Sequence, residues 1–325
     1  MKYNDEVEIL LAVYNGEKFI EEQLDSITAQ TYRNIFITVR DDGSDDSTPD
    51  IIRRYSEKHP GLIRNIEFNN TAVHGAKSNF ARLLEMSTAE YVMFCDQDDV
   101  WLKDKVEKTL SAMKNEEGRS PGVGIAVHTD LYVTDEDLNI ISSSFFEMDR
   151  IIPANNDLAA LLISNTLTGC TVMINRILAD IAGQIPSEAV MHDSWIAMCA
   201  SAFGKIVTLY EPTIRYRQHG TNEIGVAARP GLFVRLYRYL FDKKKNQVFG
   251  KNASELYRAA DSFAEVYSGR LTAEQYALCR TFGGMKGKPS FVRLFTILKH
   301  GYGGRTLIRR LKCWLLLNKE KYYKS

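Results

Sequence analysis

Three aspartates fall within four positions in MFCDQDDVWL, at Asp96, Asp98 and Asp99, and no Lys or Arg follows until Lys103. Carboxylates this dense repel one another and take raised pKa values unless a positive charge sits among them. Two carboxylates at i and i+2 just past a strand can reach one hard cation and the oxygens of a diphosphate. Mg2+ favours a few carboxylates plus substrate phosphates and water. By itself the pattern also suits a helix start, where Asp complements the dipole.

A second acidic stretch is Asp41-Asp42-Gly43-Ser44. A carboxylate there can accept the ring N3–H of uracil or thymine. Cytosine lacks that proton, so the site would favour UDP or dTDP over CMP or CDP. Gly43 permits close backbone approach or positive φ. A turn with an Asx motif would use the same residues. A third candidate is His219, in YRQHGTNEIG (216–225). Mn2+ and transition metals accept imidazole, whereas Mg2+ prefers oxygen.

The elements around these motifs alternate. VEILLAVY (7–14) is a nearly continuous apolar run ending at Asn15-Gly16, the pattern of a buried parallel strand and a turn. EKFIEEQLDSITAQ has helical spacing, and NIFITVR (34–40) is a strand stopping at Asp41. Asp46, Ser47 or Thr48 can cap a helix through IIRRYSEK, with Pro49 in its first turn. IRNIEFNN (63–70), the helix SNFARLLEMS (78–87) and the strand AEYVMFCD (89–96) complete β-α-β-α-β-α-β. Polar motifs after the strands predict an open, mostly parallel α/β sheet with ligands at the strands' carboxyl ends. Further on, 103–115, 158–166 and 192–204 are expected helical, 123–135 and 169–176 extended, and 205–220 a strand pair.

The 325 residues suit one large domain, or one domain with a smaller appendage. Five Cys with no CxxC pair speak for free thiols in a reducing compartment, against a disulfide framework or a zinc site. The N-terminal stretch has no signal-peptide h-region, and no apolar run approaches the ~20 residues that span a bilayer. The expected location is cytoplasmic. The net charge of zero hides a split: residues 1–230 sum to −14 and 231–325 to +14.

Together, VEILLAVYNGEKFIEEQLDSITAQTY, DDGSDDST and HGAKSNFARLLEMSTAEYVMFCDQDDVW resemble the N-terminal half of family 2 glycosyltransferases with the GT-A fold, over roughly residues 5–225. Bacterial members that build surface polysaccharides, rhamnosyltransferases among them, look most similar. The resemblance implies a Rossmann-like GT-A catalytic domain over 1–230 and a basic helical C-terminal region over 231–325. It places Ala12, Tyr14 and Asn15 near the nucleotide, Asp41 or Asp42 on the base, and Lys77 on the diphosphate. Asp96 and Asp98 form a DxD contacting ribose and metal, with Gln97 between them on the nucleotide sugar. It raises His219 as a further metal ligand or a diphosphate contact. In MHDSWIA it makes Asp193 the base that takes the acceptor hydroxyl proton, with His192 where the family usually has an acid. Asp99, Trp101, Gly169, Cys170, His192 and Trp195 fall on the acceptor side, the two Trp as sugar platforms or as core.

The expected activity is inverting, non-processive transfer from a UDP- or dTDP-sugar, such as dTDP-rhamnose, to a lipid-linked glycan, with Mn2+ or Mg2+ as cofactor. Processive members carry membrane helices and a QxxRW motif, and neither occurs here. Rival readings are a sugar- or nucleotide-binding protein that lost catalysis and a nucleotidyltransferase, whose early Gly-rich stretch is missing. RTLIRRLKCWLLLNK (305–319) and PSFVRLFTILKH (289–300) are amphipathic and basic. They suit either an interfacial helix on the anionic cytoplasmic membrane or a subdomain packed on the core. Nucleic-acid binding has no supporting motif.

Overall fold

Strand β1 (Val7–Val13) is buried along its whole length and apolar except for Glu8, as suits a strand covered on both faces. The computed structural model describes residues 5–69, 73–219 and 243–319. Helix α1 (Ile20–Thr28) buries Ile20, Leu24 and Ile27 on one stripe. After β2 (Ile35–Asp41), Ser47 precedes α2 (Thr48–Lys58), with Pro49 in its first turn. Strand β3 (Ile63–Phe68), helix α3 (Ala76–Met86) and strand β4 (Tyr91–Asp96) follow in the expected order.

β1 pairs in parallel with both β2 and β4, and β2 pairs in parallel with β3. The register sets Val13 beside Asp41 and Ala12 beside Asp96. Both acidic motifs therefore leave the sheet at one edge. The far half of the sheet is mixed. Its order is β3-β2-β1-β4-β8-β6-β9-β5, with β7 (Ile140–Ser142) on β6. β8 (Met173–Asn175) runs antiparallel to β4 and to β6 (Gly124–Thr134). Between β4 and α4 (Lys105–Arg119) lies a two-residue strand, β5 (Val100–Trp101), that no sequence pattern announced. It pairs antiparallel with β9, Val100 opposite Arg215 and Trp101 opposite Ile214.

Of residues 205–220, expected as a strand pair, 205–217 belong to one long strand, β9 (Gly204–Arg217). It stays parallel to β6, with register shifts at Thr129/Asp130 and Asp130/Tyr132. The helix expected over 158–166 is a single turn, α6 (Leu158–Leu161), capped by Asp157. Ser164, Asn165 and Thr166 are poor helix continuers because their side chains compete for the backbone. Short helices α5 (Phe145–Asp149) and α7 (Arg176–Ala182) flank the sheet, and α8 (His192–Phe203) begins at the HDSW motif.

The chain forms two compact units. The first comprises Met1–Pro153, Leu167–Ile185 and Trp195–Gly225. The second comprises Ala154–Thr166, Pro186–Ser194 and Val226–Ser325. In the second lie α9 (Lys243–Val266), α10 (Ala273–Gly283), α11 (Ser290–His300) and α12 (Leu307–Leu317). Thr272 and Gln275 form a capping box on α10, satisfying two backbone donors reciprocally. α11 and α12 make a helical hairpin. Trp314 Nε1 donates to Ser290 O at 2.9 Å, and Arg310 Nη1 donates to Leu298 O at 3.1 Å. No helix among the described residues is long and apolar enough to cross a membrane.

Candidate active site

Side chains tie together the loops that follow β1, β2 and β4. Gln97 accepts from Tyr14 N at 2.7 Å and donates to Tyr14 O at 2.8 Å, locking the first loop to the acidic loop. Gly16 lies against that amide: a Cβ there would stand 2.4 Å from Gln97 Oε1. Asn15, at φ +46°, donates its N–H to Ser44 Oγ at 2.8 Å and accepts from Asp45 N at 3.0 Å. Gly16 N donates to Thr48 Oγ1 at 2.8 Å. Ala12 is buried beneath this lattice, and Tyr14 stands out into solvent, 55% exposed.

The two carboxylates of the DDGS motif have different employment. Asp42 accepts from Asn69 Nδ2 (2.7 Å), Gly75 N (2.6 Å) and Arg40 Nη1 (3.2 Å), so both its oxygens serve the fold. Asp41 accepts from Gly43 N and Ser44 N through Oδ1, both at 2.7 Å, which turns the chain at Gly43 with φ +90°. Its Oδ2 is buried and has no hydrogen-bond partner. Of the pair, Asp41 keeps an acceptor in reserve. Lys77, half-buried, lies in the first turn of α3, just after Gly75.

Around the acidic loop the structure supplies an imidazole and a guanidinium that the local sequence lacks. His219 Nε2 lies 2.7 Å from Asp98 Oδ2, and its ring packs on Phe19 at 4.8 Å between centroids. Arg217, 4% exposed, organises the rest. Its Nε donates to Asp98 O at 2.9 Å, Nη1 to Glu136 O, and Nη2 to the Glu22 carboxylate. Its backbone N–H donates to Asp99 Oδ1 at 3.3 Å, and its guanidinium lies 4.6 Å from the Phe19 ring centroid. Residues 220–225 of the YRQHGTNEIG motif lie outside the described residues.

Under the loop sits a buried layer. Asp99, Asp96 and Cys170 bring one ligand atom each within 4.8 Å of one another. Burial, then the charges of Asp98 and Asp96, push Asp99 well above the usual carboxylate range. Burial also raises the Cys170 and Cys95 thiols. Lys105 is fully buried over Trp101, its Nζ 4.8 Å from the ring centroid and without a hydrogen-bond partner. Burial lowers it to about 8. With its amide oriented to suit its neighbours, Gln23 accepts from Trp101 Nε1 at 3.2 Å and donates to Asp99 O.

The six residues expected on the acceptor side, Asp99, Trp101, Gly169, Cys170, His192 and Trp195, are all buried. Cys170 lies in the one-turn 3-10 helix Gly169–Thr171, under Asp99. Burial drives His192 down to about 3, so its ring is neutral near neutrality, and it lies 4% exposed, out of reach of solvent. Asp193, beside it in the first turn of α8, remains half-exposed.

The donor atoms fit a divalent cation at one place better than the other. A buried thiol and a buried carboxyl, both with burial working against their charged forms, are poor ligands for a hard ion. The half-buried Asp98 carboxylate with the His219 imidazole is an oxygen-and-nitrogen pair that Mn2+ accepts. The residues reasoned from sequence that meet here are Asp96, Asp98 and His219. Arg217, Lys105, Glu22 and Phe19 were missed. The arginine adjoined the singled-out His219, but only the pairing of β5 with β9 reveals what it holds.

A model of a known family matches residues 8–179, more than half of the chain. The chain belongs to glycosyl transferase family 2. As a family 2 glycosyl transferase it is 27% identical over 224 residues to an uncharacterized glycosyltransferase, alr2836, of Nostoc, covering 66% of each chain. Over 106 residues it is 39% identical to the dTDP-rhamnosyl transferase RfbG of Shigella flexneri, covering 32% of this chain and 36% of that one. Over 203 residues it is 29% identical to a putative teichuronic acid biosynthesis glycosyltransferase, TuaG, of Bacillus subtilis, covering 61% and 73%. The matches thus span between about a third and three quarters of these relatives' lengths. In fold it is similar to S. aureus TarS 1–349 in complex with UDP-GlcNAc, with a TM-score of 0.54 at 15% identity, over 97% of this chain and 91% of that one. It is also similar to the mannosyltransferase PcManGT of Pyrobaculum calidifontis in complex with GDP-Man and Mn2+, with a TM-score of 0.51 at 21% identity, over 98% and 88%.

Proposed function

We propose that this chain transfers a glycosyl group from a UDP- or dTDP-sugar to a hydroxyl of a lipid-linked glycan, with inversion, in building a bacterial surface polysaccharide. The observation that carries the reading is the Asp98–His219 pair at the carboxyl end of β4, one sheet edge shared with the spare Asp41 oxygen. In this reading Asp41 Oδ2 accepts the ring N3–H of uracil or thymine, and Asp96 holds the ribose. Asp98 and His219 would hold a divalent cation, which when bound would neutralise the leaving diphosphate. Lys77 adds positive charge at the same edge. The first loop, stiffened by Gln97, presents Tyr14 to the nucleotide.

The acceptor oxygen forms its bond to the anomeric carbon as the bond to the diphosphate oxygen breaks, and the diphosphate leaves with the electron pair. Asp193 takes the acceptor proton. His192 is buried whereas Asp193 is half-exposed, which favours Asp193 as the base of the HDSW motif. The dTDP-rhamnosyl relative supports a dTDP donor, and the relative named for teichuronic acid biosynthesis supports a polysaccharide product.

A donor screen tests the reading. Purified chain is incubated with UDP-, dTDP- and GDP-sugars, with Mn2+ or Mg2+, and released nucleotide is measured with and without a lipid-linked acceptor. UDP or dTDP release is expected. No release from any donor under either condition would sink the proposal. Asp193→Asn should abolish transfer while donor affinity is retained, and an active variant would move the base elsewhere.

A further inference from the structure

The hairpin of α11 and α12 is apolar on two opposite sides. Inward, it buries Ile297, Cys313 and Leu317. Outward, Phe291 and Phe295 are 74% and 67% exposed on α11, one helical turn apart. On α12, Leu307, Leu311 and Leu315 repeat every four residues beside Ile308, which is 68% exposed. Positions 291 and 295 stand two residues from Arg293 and Ile297, and 311 and 315 two residues from Cys313, so the outward stripes lie about 200° around each helix from the buried ones. A water-facing helix has one apolar stripe, turned to the core. Six large apolar side chains on the outer stripes of one hairpin are more than scattered surface hydrophobics, and such patches mark docking sites.

Charge narrows what docks. Residues 284–319 hold nine Lys and Arg and no Asp or Glu. Lys286, Lys288, Lys299, Arg305 and Lys312 are exposed, so the apolar stripes are fringed by cations alone. Trp314 is only half-exposed and its indole N–H is spent on Ser290 O, whereas Phe291 and Phe295 face outward.

We infer that the α11–α12 hairpin is a membrane anchor, which inserts Phe291, Phe295, Leu307, Ile308, Leu311 and Leu315 among the acyl chains of an anionic phospholipid surface while the surrounding Lys and Arg meet lipid phosphates. An apolar stripe bordered by cations without acids is the pattern of a helix lying in such an interface. The helices are too short to span the bilayer, so binding is in the plane of the surface. This goes beyond the glycosyl-transfer reading and stands without it.

The test is flotation of the full chain with vesicles of phosphatidylcholine alone and of phosphatidylcholine mixed with phosphatidylglycerol. Binding is expected to the mixed vesicles, weakening as salt rises. Phe291→Ser with Phe295→Ser, and separately Ile308→Ser with Leu311→Ser, should each weaken it by at least about tenfold. Lys286→Glu with Lys288→Glu should abolish the preference for anionic lipid. Because these side chains are already exposed, the variants keep the fold, and their release of nucleotide from a soluble acceptor assay should match the parent chain. Failure of the parent to float with anionic vesicles overturns the inference, as does equal flotation of the serine variants. A parent that ran as a dimer, dissolved by the serine changes, and bound no vesicle would assign the patch to a second copy instead. A chain that floats but turns over no nucleotide sugar would overturn the transfer reading alone.

Discussion

Lys105→Met is expected to make the protein more stable at neutral pH. Lys105 is fully buried, its Nζ makes no hydrogen bond, and burial lowers it from 10.5 to about 8. That lowering corresponds to about 3 kcal/mol by which the folded state disfavours the ammonium. Below pH 8 the folded and unfolded chains both carry the proton, so the whole penalty is present. Between 8 and 10.5 the unfolded chain holds a proton that the folded chain has released. Stability from this group therefore rises, at about 1.4 kcal/mol per pH unit. Above 10.5 the penalty is gone. The buried thiols Cys95 and Cys170 act with the opposite sign, because the folded chain keeps their protons longer. The Lys105 charge lowers both thiols, so the parent–variant difference carries that coupling along with the lysine's own titration. Urea unfolding at pH 7 should then show the methionine variant ahead by about 3 kcal/mol, with most of that gap closed by pH 10. A variant no more stable than the parent at pH 7, or a gap that does not narrow with pH, would refute the reasoning. Lys105 would then be a well-paired ammonium whose partner the geometry does not reveal.

Arg217→Lys keeps the charge but offers one nitrogen where three separate acceptors wait. It should cost about 2–4 kcal/mol in urea unfolding and raise the Mn2+ concentration needed for nucleotide release, since it no longer fixes the Asp98 carbonyl. His219→Ala should leave unfolding within about 1 kcal/mol of the parent and weaken Mn2+ dependence more than Mg2+ dependence, read from metal titrations of the same assay. Gly16→Ala should displace the Gln97 amide from Tyr14 and lower stability by about 1–2 kcal/mol. In the background of Gln97→Ala the same change should be nearly silent, and a cycle of the four proteins reads that coupling directly.

Most of the first unit's frame was legible because its strands are short, mainly apolar runs that stop at polar clusters. β1, β2 and β4 end where Asn15, Asp41 and Asp96 begin, and the parallel register does the rest. The Asp98–His219 meeting was legible for the same reason, since both residues follow strand ends. What stayed hidden depends on which way a side chain turns. Trp101, Trp195 and Cys170 have types that serve equally as sugar contact or as core, and only packing shows that they are core. Asp41 and Asp42 are the same residue type side by side, and their separation into a spare acceptor and a structural hub comes from Asn69, Gly75 and Arg40. Arg217 escaped because a two-residue strand has no periodicity to detect.

That two-residue strand also fixes when the acidic loop can be completed. Arg217 reaches Asp98 across 119 positions of chain. At about 5–20 residues per second, translation delivers the arginine roughly 6–24 s after the aspartates. During that interval β1, β2 and β4 can already pair, yet the loop's carboxylates lack both the guanidinium and His219. A nascent chain stalled before β9 would carry β1, β2 and β4 already paired but a sheet still lacking β9 and β5, with an unclamped, self-repelling loop at the end of β4. Assembly of the Asp98–His219 pair thereby becomes a late event in the life of each molecule, timed by the ribosome.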